Sequence, residues 1–177
     1  SLPMGEEAAE KFLATCVAVP AVMDGIPEGA AATVWARRLA GVTFDQPLDE
    51  WIASTLSDDT IDRSALESVA ALNRDWGTAT GLKRAATISE WLEADVPQRG
   101  ATLEKLHFCW WNKSKDEPQT QTRGQVPQVD EYPELALDLA NWTKPLLDTL
   151  RRADYAERLA SALLVGKRLA HYYTQAK

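Results

Sequence analysis

Cysteine is almost missing from this chain. Cys16 and Cys109 are the only two in 177 residues, too few for the disulfide framework that holds small secreted domains together. Long apolar runs are missing as well. No stretch approaches the ~18 residues of a membrane-spanning helix, and the longest candidate, Ala14 to Met23, is broken by Pro20. The opening Ser1-Leu-Pro-Met-Gly-Glu-Glu7 is acidic where a signal peptide is basic. These absences predict a cytoplasmic protein that makes no use of a membrane. Positive charge is in short supply: 19 Lys+Arg against 26 Asp+Glu leave a net −7, which opposes general coating of nucleic acid or anionic lipid.

What is present is an ordinary globular mixture, 45% hydrophobic and 25% charged, at a length that fits one domain. The charge is uneven. Residues 1–99 hold 8 basic and 16 acidic side chains, whereas residues 100–177 hold 11 and 10, so an anion-facing surface is expected in the second half.

Helical spacing recurs along the chain, and strand-like alternation is rare. Phe12, Leu13 and Cys16 follow Glu6, Glu7 and Glu10, acids suited to the positive end of a helix that Pro20 limits. Leu48, Trp51, Ile52 and Leu56 mark a second helix with Pro47 at its start and Asp49 and Glu50 in its first turn. Ser64-Ala-Leu-Glu67 has the spacing of a capping box ahead of Leu66, Val69 and Ala70. Thr80 is expected to cap the helix of Leu82, Ala85, Ile88 and Leu92. Leu103, Leu106, His107 and Trp110 suggest a shorter helix after Gly100, with Phe108 to Trp111 either helical or extended. Residues 112–130 are polar, hold two prolines and show no apolar period; that is a longer loop than compact domains usually tolerate without a use for it. Two long helices are expected beyond it. Leu135, Leu139, Trp142, Leu146 and Leu150 mark one, started by Pro133 and kinked by Pro145; Tyr155, Leu159, Ala162, Leu163, Leu169 and Tyr173 mark the other. The last pattern is still running at Lys177 and no initiating Met precedes Ser1, which suggests an excised segment. No 20–50-residue repeat is present, so a solenoid is not expected.

Catalytic signatures are weak. Gly166-Lys167-Arg168 is the nearest approach to a P-loop, but Ser161 stands where the upstream Gly belongs and the following hydroxyl is missing. Cys16, His107, Cys109 and His171 have no zinc-type spacing, so no metal is expected. His107 reads instead as a hydrogen-bonded core residue. No nucleophile elbow occurs. Seven tryptophans are many. Trp35, Trp51, Trp91 and Trp142 suit helix packing, whereas adjacent Trp110 and Trp111 cannot both point inward, and one is expected to be exposed for base or partner stacking. Lys113, Lys115 and Arg123 follow them, and Arg151 to Lys177 has six basic and two acidic residues. Asn112-Lys-Ser114 and Asn141-Trp-Thr143 match glycosylation acceptors, irrelevant in a cytoplasmic setting.

Three stretches carry a resemblance. Gly77-Thr-Ala-Thr-Gly-Leu-Lys-Arg-Ala-Ala-Thr-Ile-Ser-Glu-Trp-Leu92, Trp111-Asn-Lys-Ser-Lys-Asp-Glu-Pro118 and Leu159 to Lys177 are similar in order and spacing to the AddA subunit of alphaproteobacterial double-strand-break repair helicase-nucleases, UvrD-like superfamily 1 motors. The matching region is the helical insertion of the first motor domain, called domain 1B. The likeness covers roughly residues 73–177; for 1–72 it rests on position and helical character. Thr78-Ala-Thr-Gly-Leu-Lys83 replaces the family's Ser-Lys-Thr-Asp-Gln-Lys, and Gln119 replaces a basic residue after Pro118. The resemblance implies a parent that uses ATP and Mg, translocates on single-stranded DNA and resects duplex ends beside an AddB-like partner subunit. Both active sites would lie outside these residues, and no cofactor is implied within them.

The expectation is therefore a single all-α domain over residues 1–177, an irregular bundle of about eight helices with a long polar loop at 112–130. Its function would be non-catalytic, positioning duplex DNA or the partner subunit. Lys113, Lys115, Arg123, Lys167 and Arg168 are the candidate phosphate contacts, and Trp110 and Trp111 the candidate stacking residues. The alternative is a self-contained helical module that binds another protein and has no nucleic-acid role.

Overall fold

A computed structural model describes residues 23–175 and, before them, residues 11, 14, 15 and 18. The helix expected around Phe12, Leu13 and Cys16, its limit at Pro20, and the chain end at Lys177 lie outside the described residues. The protein is mainly helical. Six helices and one two-stranded sheet are found among the described residues, against the eight helices expected. None of these helices is long and apolar enough to cross a membrane.

The chain divides into two compact units, one drawn from residues 46–148 and the other from residues 1–45 and 149–177. The unit of residues 46–148 begins with α2, Leu48–Leu56, since α1, Ala30–Leu39, belongs to the other unit. Pro47 is the N-cap of α2, one position earlier than expected. Asp62, not Ser64, caps α3, Arg63–Trp76, by accepting from Ala65 N at 2.9 Å. A carboxylate there also complements the helix dipole, and Glu67, freed from the expected capping box, pairs with Arg63 at 3.2 Å. Gly77 ends the helix at φ 68, a left-handed cap that favours glycine.

Thr78, not Thr80, caps α4, Ala79–Glu93, by accepting from Gly81 N at 3.1 Å. α5, Val96–His107, starts well before Gly100: Asp95 accepts from Gln98 N at 2.9 Å and Pro97 occupies the first turn. Gly100 lies inside α5, where a Cβ would come 3.0 Å from Ile52 of α2. Glycine serves close helix approach there and marks no helix boundary.

After α5, residues 108–110 make a turn, and the chain becomes extended at Trp111. β1, Trp111–Asn112, pairs antiparallel with β2, Glu117–Pro118, in the register Trp111 to Pro118 and Asn112 to Glu117. The core of this unit is built from Leu56, Leu66, Val69, Ile88, Leu103, Leu106, Trp110, Val126 and Tyr132, all fully buried. Each large apolar side chain buried this way contributes about 1.5–3 kcal/mol.

The two long helices expected after the loop are one, α6, Tyr132–Gln175, with Pro145 inside it. Pro145 removes one intrahelical donor, but Asn141, whose carbonyl loses its partner, is exposed to water. No glycine or second proline follows before Gly166, and Lys144 bridges the proline to Asp148 at 2.8 Å.

In the second unit, α1, Ala30–Leu39, packs on residues of α6 beyond Thr149 through Ala32, Ala36, Ala156 and Ala160, flanked by Trp35 and Leu164. Small side chains let the two backbones come close. Buried Arg37 pairs with Glu157 at 2.7 Å and stands 5.1 Å over the Phe44 ring.

Candidate nucleic-acid interface

The most built surface feature carrying sequence-predicted site residues is the hairpin of β1 and β2. Asn112 Oδ1 accepts from Ser114 N at 3.0 Å and Lys115 N at 3.2 Å, and Asp116 takes a left-handed φ of 53. Asx side chains make such turns because the short amide mimics a backbone carbonyl. Lys113 and Lys115 are thereby displayed at the tip, both exposed. The Lys113 ammonium lies 5.4 Å from the Phe108 ring centroid and Lys115 stands 3.6 Å from Glu117; pairs this exposed hold little and leave both lysines able to meet a stronger anion.

The base of the hairpin is fixed from below. Thr143 of α6 donates to Leu139 O at 2.7 Å and receives Trp110 Nε1 at 3.1 Å and His107 Nδ1 at 2.8 Å. With its single proton given to Leu139, the hydroxyl can only accept, so the His107 proton sits on Nδ1. His107 is 1% exposed, a hydrogen-bonded core residue as expected. Trp110 is 0% exposed, which removes it as a stacking platform: its indole fills the core and its one donor is used internally. Trp111 is half-buried. Its ring lies 4.8 Å from that of His107, the Lys144 ammonium stands 5.8 Å from it, and its Nε1 donates to Asp116 at 3.2 Å. It therefore braces the hairpin, and its stacking role belongs to the fold rather than to a ligand.

The rest of the polar stretch is held to α4. Arg84 donates to Gln125 O at 2.7 Å and to Gln119 Oε1 at 2.6 Å, and Gln119 donates to Gln125 Oε1 at 2.6 Å. Gln119 N also reaches Trp110 O at 2.7 Å. Arg123 is exposed in the turn between these two glutamines. Val126, 0% exposed, anchors the far end. A lone valine has no period, so nothing in the local pattern signals that this loop enters the core.

Behind the loop lie two buried titratable groups. Burial pushes the Cys109 thiol up to about 12, with Arg84 pulling weakly the other way. Burial likewise raises Tyr132 above the ordinary phenol range, opposed by the charge of Arg84. Neither group is poised to ionise near neutral pH, so neither reads as a nucleophile or base. Among the described residues, no three His, Cys, Asp or Glu side chains gather as a metal ligand set; Cys16 lies outside them.

Lys167 and Arg168 belong to the other unit. They line a cleft of about 360 Å³ with Asp24, Glu28, Gly29, Leu164 and His171. Lys167 donates to Ile26 O at 2.9 Å and pairs with Glu28 at 3.1 Å, its side chain only 21% exposed. Its ammonium ties the 26–28 segment to α6, which argues against its expected phosphate contact. Arg168 is exposed. The five candidate cations are thus split, three in one unit and two in the other. Residues 46–148 hold 18 acidic and 10 basic side chains, whereas the other unit holds 8 and 9. The hairpin cations are a local exception in an acidic unit.

Comparisons with protein-family models, with curated proteins and with solved structures find no match to this chain.

Proposed function

We propose that this chain is a non-catalytic accessory helical region of an AddA-like, ATP-dependent DNA helicase-nuclease of double-strand-break repair, acting in the cytoplasm beside an AddB-like partner subunit. Its part is to position duplex DNA through the phosphate backbone. ATP and Mg belong to the motor of the parent. The observation that carries this reading is the hairpin tip, where Lys113 and Lys115 are displayed on a turn fixed by Asn112 while Trp110 and Trp111 hold its base. The resemblance of Trp111 to Pro118 to the AddA sequence falls on that same hairpin. Arg123 adds a third exposed cation on the loop that follows.

An acidic unit with three such cations binds phosphate weakly and only locally. Titration of a fluorescent 20-base-pair duplex with the 177-residue chain tests the reading. Binding should weaken steeply between 50 and 200 mM salt, with the log–log slope set by about 0.9 per phosphate neutralised. Salt-independent binding, or none at 50 mM salt, would count against it.

A protein-binding module is the second reading. What favours it is the excess of acid over base in residues 46–148 together with exposed Leu82, Val129 and Leu137 in the same unit. A basic partner protein that binds the chain where duplex DNA does not would favour this reading.

A further inference from the structure

Arg84 stands apart from the residues assigned so far. It lies on α4, its neighbours Ala85 and Ile88 are buried in the core, and its guanidinium reaches out to the polar loop. Two prongs of the fork are used at once, on Gln125 O at 2.7 Å and on Gln119 Oε1 at 2.6 Å. Gln119 closes the triangle by donating to Gln125 Oε1 at 2.6 Å. The five residues from Thr120 to Gly124 therefore leave and return to one clasp. Arg123, the third candidate cation, rides on that closed turn, and Gly124 at φ 73 completes the reversal.

A flexible loop must be ordered when it binds, and a loop already held in its bound form avoids that cost. A planar, always-charged fork holds a carbonyl and an amide oxygen in fixed geometry, whereas a lysine ammonium is a rotatable point charge on a flexible stem. A basic side chain at position 119 would face Arg84 with like charge, so the neutral amide of Gln119 is the partner that this arginine requires.

We propose that Arg84 is a positioning residue for phosphate binding: it clasps Gln119 and Gln125 so that the turn carrying exposed Arg123 is preformed for an anion. This rests on the duplex-binding reading of that loop. Arg84 itself does not touch the phosphate.

The test uses duplex titration with the full chain and three variants, Arg84→Lys, Gln119→Met and Arg123→Gln, alone and in pairs. Arg84→Lys keeps the charge and loses the fork. A clasp predicts that Arg84→Lys and Gln119→Met each weaken binding about five-fold, an ordering cost of one loop, and that neither has a further effect once Arg123→Gln is present. Amide exchange should quicken in residues 119–125 in both variants and stay unchanged in Lys113 to Asp116. Should Arg84→Lys bind as tightly as the unaltered chain, or weaken binding equally with and without Arg123, the positioning role is overturned while the duplex reading stands. Absence of salt-dependent binding by the unaltered chain overturns the duplex reading and the binding role of the clasp together, and is recognised by that alone. Gln119→Met changes a loop residue and leaves the core intact, so the test survives if Arg84→Lys fails to fold.

Discussion

Trp91 and Arg99 hold one another. The indole of Trp91 donates to the Arg99 carbonyl at 3.0 Å, and the Arg99 guanidinium stands 5.4 Å from the Trp91 ring. That guanidinium, on a residue 3% exposed, also donates to Leu56 O at 3.0 Å, Leu92 O at 2.8 Å and Asp58 at 2.8 Å. Arg99 thereby donates to carbonyls at the ends of α2 and α4, positions that no intrahelical donor can reach, and Arg63 adds a second donor to Leu92 O at 3.1 Å. Because Asp58 is largely exposed, the ion pair adds little.

Arg99→Met should cost about 1–3 kcal/mol, the penalty of the buried Leu56 carbonyl left without its donor, since Leu92 O keeps Arg63 at 3.1 Å. Urea unfolding followed by circular dichroism checks this, and Asp58→Asn should cost under about 1 kcal/mol in the same assay.

Thr143→Val should be costly although it conserves shape. It leaves the Trp110 and His107 donors buried without their acceptor, a destabilisation of about 2–4 kcal/mol. Thr143→Ser should recover most of it. Thermal melts of the two variants, compared side by side, separate the hydroxyl from the methyl.

Gly81→Ala should destabilise despite the gain of about 1 kcal/mol in helix propensity. A Cβ there would collide with the Asn73 carbonyl and come 2.9 Å from the Trp76 ring, where α3 and α4 approach closely. Overpacking of that kind costs about 1–3 kcal/mol, and a lowered melting temperature is the expected sign.

Cys109 should resist alkylation in the folded protein at pH 8 and react fully in urea, because burial holds the thiol up to about 12. The linkage has a definite sign. The folded state binds this proton more tightly than the unfolded state does, so stability is whole below the ordinary thiol value of 9.0 and falls as pH rises toward 12. Tyr132, raised by the same burial, acts in the same direction above about 10. Cys109→Ala should move the midpoint of alkaline unfolding upward.

Lys113→Glu with Lys115→Glu should reduce the salt slope of duplex binding by about 2, near 0.9 for each phosphate no longer neutralised. Lys167→Gln should leave that slope unchanged and instead lower stability, since its ammonium holds Ile26 and Glu28. The same titration reads the slopes, and a melt reads the stability.

Large apolar residues at helical spacing determined the all-α character by themselves. Leu66, Val69 and Ala70, and again Ala85, Ile88 and Leu92, lie on buried faces as their periods require, because one face of a helix must leave water, whereas Leu82, expected on the same face, is exposed. The exposed lysines of the hairpin were legible for the same reason in reverse: a run of Asn, Lys, Ser and Asp offers nothing to a core. What remained undecided at that level turned on partners far away along the chain. Thr78 and Asp62 took the capping positions from Thr80 and Ser64 because several capping residues stand close together at each start and only the packed backbone selects one. α1 has few large apolar residues, and its alanines gained meaning only against Ala156 and Ala160, more than a hundred residues away. The fate of Trp110, Trp111 and Arg84 was likewise set by Thr143, His107 and Gln119. Hydrogen bonds and ring contacts of this kind depend on distances in space, which no local spacing of residues encodes.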